Sequence, residues 1–291
     1  MKRLEKVIED TAVELLRISE IEMNDVVVRE LKKAKEKTTG LLGKSQLENI
    51  LKNIEMAKND SLPICQDTGQ IYFVVELGDD FPIRSKLKEI LVKSTRRATE
   101  EIPLRPNAVD MFEGNTGDNV GRNGYIPYFY IDFVKGDKLN LIAMPKGGGC
   151  MNVAAHKMLK PGLGMRGVKE FILDAVVAAG SLGCPPYFIG VGVGGGEDVC
   201  MYLAKKALLR PVRKRNKDSK IADLEEELLE RINELNIGVM GLGEGPTAID
   251  VHIEMAARHP ASLPVGIAFS CWALRYAKGT ISRAGKVTIN V

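Results

Sequence analysis

The chain has 291 residues, 45% of them hydrophobic and 27% charged, with 41 Lys and Arg against 38 Asp and Glu and a formal charge of +3. That length and composition suffice to bury a core as one large or two smaller domains, and the near-balance of charge gives no footing for nucleic-acid binding. No apolar stretch approaches the roughly 20 residues needed to span a bilayer, and the start, Met1-Lys-Arg-Leu-Glu-Lys6, lacks the apolar region of a secretory signal; the expectation is a cytoplasmic protein that engages neither membrane nor nucleic acid.

Leu4, Ile8, Val13 and Leu16 recur at helical spacing, and roughly the first 60 residues read as helices. Ser45-Gln-Leu-Glu48 has the form of a capping box and predicts a helix opening there. Residues 71–76 read as a strand and 84–102 as a helix rich in Lys, Arg and Glu. The aromatic and aliphatic runs 125–135 and 138–144, broken by Gly136-Asp137, predict a hairpin. Gly147, Gly148 and Gly149 form a tight loop, 167–180 is a helix ending near Gly180, Pro185 to Val193 is a strand running into a glycine loop, and 198–209 is helical. Arg210 to Lys220 is basic and precedes an acidic helix, Asp223 to Leu235; a solvated loop and helix face is preferred there to an anion-binding patch. Helices come first and strands follow without a steady βαβ rhythm. This predicts an α+β fold, with mixed or antiparallel sheets surrounded by helices and a helical N-terminus.

Five cysteines stand at 65, 150, 184, 200 and 271. Their odd number and long spacings argue against disulfides in a reducing compartment, and free cysteines are often simply buried. Cys200, inside a predicted helix, fits that reading best. Cys65, Cys184 and Cys271 differ, because each lies at a break between elements beside Gly, Pro or Ser, where a thiolate can project and backbone N–H groups can donate to cluster sulfides. No C-x-x-C is present, so neither a zinc ribbon nor a thioredoxin-like site is indicated.

The surroundings add to the signal. Gln66-Asp67-Thr68-Gly69 places an amide, a carboxylate and a hydroxyl beside Cys65, and Arg105 is held between Leu104 and Pro106, with Pro103 before them. Lys146 precedes bare glycine amides that can form an anion-binding nest. Arg105 and Lys146 could thus receive a carboxylate, Arg with a bidentate grip. Of the three histidines, His259, twelve residues before Cys271, is the candidate for substrate contact, with His156 and His252 read as structural. Gly190-Val-Gly-Val-Gly-Gly195 fits a dinucleotide-binding pattern, but a pattern that also occurs at Gly162 to Gly167 is cheap in a chain with 29 glycines, and nucleotide binding stays a distant alternative.

Ile-Cys-Gln-Asp-Thr-Gly69, Pro-Lys-Gly-Gly-Gly149, Gly-Cys-Pro-Pro186 with its trailing glycines, Met-Gly-Leu-Gly243 and Ser-Cys-Trp-Ala273 occur here in one order. Together they resemble the α subunit, or N-terminal domain, of class I fumarate hydratases and the related L(+)-tartrate dehydratases, from the N-terminal helices to near residue 280. The resemblance implies that residues 1–291 form one hydro-lyase α-subunit domain with an oxygen-sensitive [4Fe–4S] cluster on Cys65, Cys184 and Cys271. It implies that Gln66, Asp67, Arg105, Lys146, the Gly148 loop and His259 face a small dicarboxylate substrate, with Asp67 and His259 as the acid–base candidates. It implies fumarate hydration to (S)-malate as in the tricarboxylic acid cycle, or tartrate dehydration to oxaloacetate as the alternative. It further implies a β subunit completing the active site, in an α2β2 assembly built on an α dimer. Cys150 stands where the family often has Ser, and Tyr276 follows Arg275 where a second Arg is common.

Overall fold

The structure is a computed structural model and describes residues 2–122 and 124–290. In chain order it contains α1 (Lys2–Ile21), α2 (Asp25–Lys37), α3 (Leu41–Asp60), β1 (Gln70–Gly78), α4 (Leu87–Glu101), the short pair β2 (Val109–Asp110) and β3 (Gly114–Asn115), β4 (Tyr128–Val134) and β5 (Lys138–Lys146). These are followed by α5 (Gly148–Asn152), β6 (Ala155–Leu159), α6 (Gly164–Ala179), β7 (Tyr187–Gly195), α7 (Glu197–Ala207), α8 (Ser219–Glu234), β8 (Ala248–Arg258), β9 (Leu263–Ser270), β10 (Ala277–Ser282) and β11 (Val287–Asn290). Two units form, one from the residues up to Asn24, Asn53–Gly148 and those from Arg275 onward, the other from Asp25–Lys52 and Gly149–Leu274. The fold is α+β with mixed sheets and a helical N-terminus, as the sequence predicts.

The first unit is a five-stranded sheet, β11-β10-β5-β1-β4, in which β4 runs parallel to β1 and the other pairs are antiparallel. α1 lays Ile8, Ala12, Leu15 and Leu16, all 0% exposed, into a core shared with Phe73 and Val75 of β1, Leu141 of β5 and Leu91 of α4. The expected hairpin of β4 and β5 does not form, because β1, from some 60 residues earlier, lies between them. The connection Lys135 to Asp137 crosses the end of β1 at Gly78, where any Cβ would overlap the Gly136 carbonyl. Asp79 and Asp80 fasten the crossing by donating their N–H groups to Val134 and Gly136.

The second unit is built on a four-stranded sheet, β6-β9-β7-β8, with β7 and β8 parallel and β9 antiparallel to β7. α6 and α8 contribute Val168, Ile172, Val176 and Leu228 to a core with Val191, Val251 and Ile267. Gly190 and Gly192 lie inside β7, and a Cβ on either would overlap a backbone carbonyl of α7, Ala204 or Cys200. Those glycines let a helix sit directly on the strand, which accounts for the dinucleotide-like spacing without a phosphate. Two further expectations change. Ser45 lies within α3, not at its start, and the helix's first turn is met by Glu244, whose Oε2 accepts the Gly43 N–H at 2.8 Å. Two arginines of the basic stretch turn inward, Arg210 pairing with Glu225 and Glu254 and Arg215 with Asp250, while the exposed Arg213 pairs with Glu30 at 2.9 Å. Glu225 is 0% exposed and Asp250 2%, so these carboxylates require cationic partners, and the stretch supplies them.

Candidate active site

In the first unit the expected site residues gather at one end of the sheet because of strand direction. β1 and β10 both run antiparallel to β5, so the segment entering β1, the segment leaving β5 and the segment entering β10 lie side by side. The first carries Cys65, Gln66 and Asp67, the second Lys146 and Gly148, the third Arg275. Gln70 and Lys146 are register partners, and Gly69, at φ 76°, brings the two segments so close that a Cβ there would overlap Lys146.

Asp67 is the hub. Its Oδ1 accepts the Gly69 N–H at 3.0 Å and its Oδ2 accepts the Gly148 N–H at 2.7 Å. Arg275, 4% exposed, donates from Nη2 to the Asp67 carbonyl at 2.8 Å and from Nη1 to Glu20 Oε2 at 2.6 Å. Burial pushes the Glu20 carboxyl up to about 7, with Arg275 opposing and the negative charge of Asp67 reinforcing the rise. Thr68 Oγ1 accepts the Arg105 N–H at 3.0 Å, and the Asn119 amide donates to the Arg105 carbonyl at 3.0 Å. Arg105 therefore has a pinned backbone and an exposed side chain, while Lys146 is buried and Gln66 exposed. The Gly148 N–H, expected to meet a ligand, has an internal acceptor in Asp67.

In the second unit the loops before β6, β7 and β8 and the segment after β9 share one end of the sheet, again by strand direction. They carry Cys150, Cys184, the Gly238 to Pro246 loop and Cys271. Cys184 is exposed at φ 58°, and its carbonyl accepts the Trp272 N–H at 3.3 Å, which ties the two cysteine segments together. The Cys271 N–H donates to Cys150 Sγ at 3.1 Å. Tyr187, 0% exposed, accepts the Gly183 N–H at 3.0 Å and donates to the Gly180 carbonyl at 2.9 Å, fixing the loop that presents Cys184. Burial pushes the Tyr187 hydroxyl up to about 12, with Cys150, Cys184 and Cys271 all near enough to add to the rise. The Met240 N–H donates to the Pro185 carbonyl at 2.8 Å, which gives the Met-Gly-Leu-Gly243 motif its place as a brace for the Cys184 loop.

Among the described residues none of the five cysteines is in a disulfide. Nor do three or more His, Cys, Asp or Glu side chains form a set of ligands to a single metal ion. A cubane asks for something else, since each of its thiolates binds a different iron. Cys184 and Cys271 suit that demand, as thiols on loops at one sheet end whose backbones are tied together. Cys200 is the buried helical cysteine the sequence indicates, its thiol pushed up to about 11 by burial. His259 is exposed in the turn between β8 and β9, its Nδ1 accepting the Ala261 N–H at 3.1 Å. The whole of β9 separates it from Cys271, about 26 Å at 3.3 Å per residue, so the structure does not bring these two together. His252 is buried, with Nε2 3.0 Å from Asp250, and His156 is exposed on β6.

Glu20, Arg275 and Tyr187 are absent from the set expected from sequence. Glu20 had a legible signal, since it falls four residues after Leu16 and seven after Val13, a carboxylate on an apolar stripe. Arg275 sits four residues past Cys271 but looks like any surface cation until its burial is known.

The family description fumarate hydratase (Fumerase) matches residues 9–280. The chain belongs to this family. A protein of Methanocaldococcus jannaschii named "Putative L(+)-tartrate dehydratase subunit alpha" is 43% identical over 275 residues, covering 93% of this chain and 96% of that one. The L(+)-tartrate dehydratase subunit alpha of Escherichia coli is 38% identical in strain UTI89 and 37% in strain K12, each over 261 residues that cover 89% of this chain and 85% of the relative. As a fumarate hydratase family member the chain is an enzyme of the hydro-lyase class. Among its described residues no helix is long and apolar enough to cross a membrane.

Proposed function

We propose that this chain is the α subunit of a [4Fe–4S] hydro-lyase that eliminates water from L(+)-tartrate to give oxaloacetate, working with a β subunit. The observation that carries the choice of substrate is the similarity over 85–96% of their length to proteins named as tartrate dehydratase α subunits. Fumarate hydration is the second reading, favoured by the family description. The subunit naming of the relatives supports the need for a partner.

Cys65, Cys184 and Cys271 would hold the cluster. When bound, a cluster with one iron lacking a thiolate supplies a Lewis acid for the departing hydroxyl. Dehydration also needs the dianion clamped and a proton removed from carbon. Arg105 suits the clamp, because its backbone is fixed by Thr68 and Asn119 while its guanidinium is exposed for a bidentate grip on a carboxylate. Buried Lys146, one residue before the glycine loop, adds positive potential. Gln66 offers an exposed amide to a substrate oxygen. The Asp67 carboxylate is aimed by the Gly69 and Gly148 N–H groups, and each oxygen keeps a lone pair that can take up a proton from substrate. In this reading the Gly148 loop serves substrate through Asp67, while His259, exposed in the β8–β9 turn, stays a candidate for substrate contact only.

The test is turnover by the anaerobically reconstituted chain with its β subunit, offered L(+)-tartrate, fumarate and (S)-malate in parallel. Oxaloacetate from tartrate at a kcat/KM at least about tenfold above that for fumarate or malate is the expected result. The reverse preference assigns the enzyme to fumarate, and no turnover of any of the three removes the reading.

A further inference from the structure

The last turn of α1 holds the cysteine loop of the first unit at two points through one residue. The Glu20 backbone carbonyl accepts the Ile64 N–H at 2.8 Å. The Glu20 carboxylate accepts Arg275 Nη1 at 2.6 Å, and Arg275 Nη2 donates to the Asp67 carbonyl at 2.8 Å. Cys65 and Gln66 thus lie between two anchors that both trace to Glu20. Glu20 is 0% exposed and Arg275 4%, and Glu20 Oε1 has no hydrogen-bond partner among the described residues.

Stability alone is a poor reason for such a pair. Taking two charges out of water is costly, and the buried pair is often no better than an apolar pair of the same volume. What the pair offers is direction. A guanidinium is a rigid planar fork, so one Arg can face a carboxylate and a carbonyl in fixed geometry, which a flexible ammonium does not do. We propose that Glu20 and Arg275 are a positioning pair, in which α1 sets where Asp67 and Cys65 are presented by gripping their loop on both sides.

The proposal rests on the reading that this loop serves the hydro-lyase reaction, and two readouts separate the two claims. The parent, E20A, E20Q and R275K are prepared anaerobically with the β subunit. Amide hydrogen exchange is followed across residues 62–70 and across α6, together with kcat and KM for tartrate and fumarate. In E20A and R275K exchange at Ile64 to Gly69 is expected to rise at least about tenfold while α6 is unchanged. Over the same variants kcat is expected to fall about 10- to 100-fold, with KM moving less than about threefold. E20Q keeps an acceptor oxygen for Arg275 and is expected to recover most of both losses. Parent-like exchange in a folded E20A or R275K overturns the pair, and so does faster exchange with undiminished kcat. Should E20A fail to fold, because it strands a buried guanidinium, E20Q and R275K decide by the same criteria. A parent complex that turns over none of the substrates defeats the functional reading alone, and exchange still decides the pair.

Discussion

Gly148 donates its N–H to Asp67 Oδ2 at 2.7 Å, joining residues 81 apart in the chain across the ends of two antiparallel strands. The glycine before it is what allows the approach. A Cβ at Gly147 would stand 2.9 Å from Asp67 Oδ2 and 3.5 Å from Arg275 Nη2. Gly147→Ala is therefore expected to push the carboxylate aside and lower kcat about 10- to 100-fold, because a displacement near 1 Å at a reacting group has that scale of effect. The melting temperature should move little. Parent-like turnover in Gly147→Ala would take Asp67 out of the reaction.

Cys150 Sγ accepts the Cys271 N–H at 3.1 Å. Cys150→Ser keeps an acceptor there and Cys150→Ala does not. Under timed exposure to air the Ala variant should lose iron faster than the parent and the Ser variant at close to the parent's rate, as read by iron analysis. Equal loss in the Ala variant would show that Cys150 does not steady the Cys271 segment.

The inward-turned arginines make the second unit sensitive to acid. Burial pushes the Asp250 carboxyl up, but His252, the Arg213 N–H and Arg215 outweigh it and hold the group at about 2, below the ordinary 3.8. The stabilisation is complete above about pH 4 and is lost as pH falls through about 2, some 2 kcal/mol in all. Asp250→Asn should be less stable than the parent at pH 7, because it leaves Arg215 and His252 without their anion, and should show a shallower loss between pH 5 and 2.5. Parallel curves for the two proteins, from denaturant unfolding at each pH, would contradict this.

Gly192 tests the packing account of the glycine pattern. Since a Cβ there would overlap the Cys200 carbonyl, Gly192→Ala must drive α7 off β7 and should cost about 1–3 kcal/mol, seen as a lowered melting temperature. Retained stability together with altered nucleotide affinity would revive the phosphate-binding interpretation.

Local patterns in the sequence carried the helices and most strands well. The apolar spacing of α1, the continuous apolar run of β1 and the terminal Gly180 of α6 are signals a chain segment holds by itself. What failed was pairing at a distance. The run 125–144 looks like a hairpin because nothing in it announces β1, and Gly78, which lets the crossing pass, is 58 residues from Gly136. The start of α3 was misread for the same reason, since its partner Glu244 is 201 residues away. The candidate site divided along the same line. Cys65, Asp67, Lys146 and Gly148 sit in motifs that the sequence displays, whereas the Glu20–Arg275 pair is visible only once burial and the hydrogen bond between them are known. His259 is named from its motif and the family resemblance, and its twelve-residue spacing from Cys271 says nothing of distance in space, because the eight-residue β9 runs between them.

The central claim, that Cys65, Cys184 and Cys271 carry a [4Fe–4S] cluster, is tested most directly by iron and sulfide analysis of anaerobically reconstituted protein. The parent should hold about four irons and four sulfides per chain, Cys200→Ser should match it, and Cys65→Ser, Cys184→Ser and Cys271→Ser should each lose the cluster and the activity together. A parent that takes up no iron, or a Cys65→Ser protein that keeps its full complement, would contradict the account.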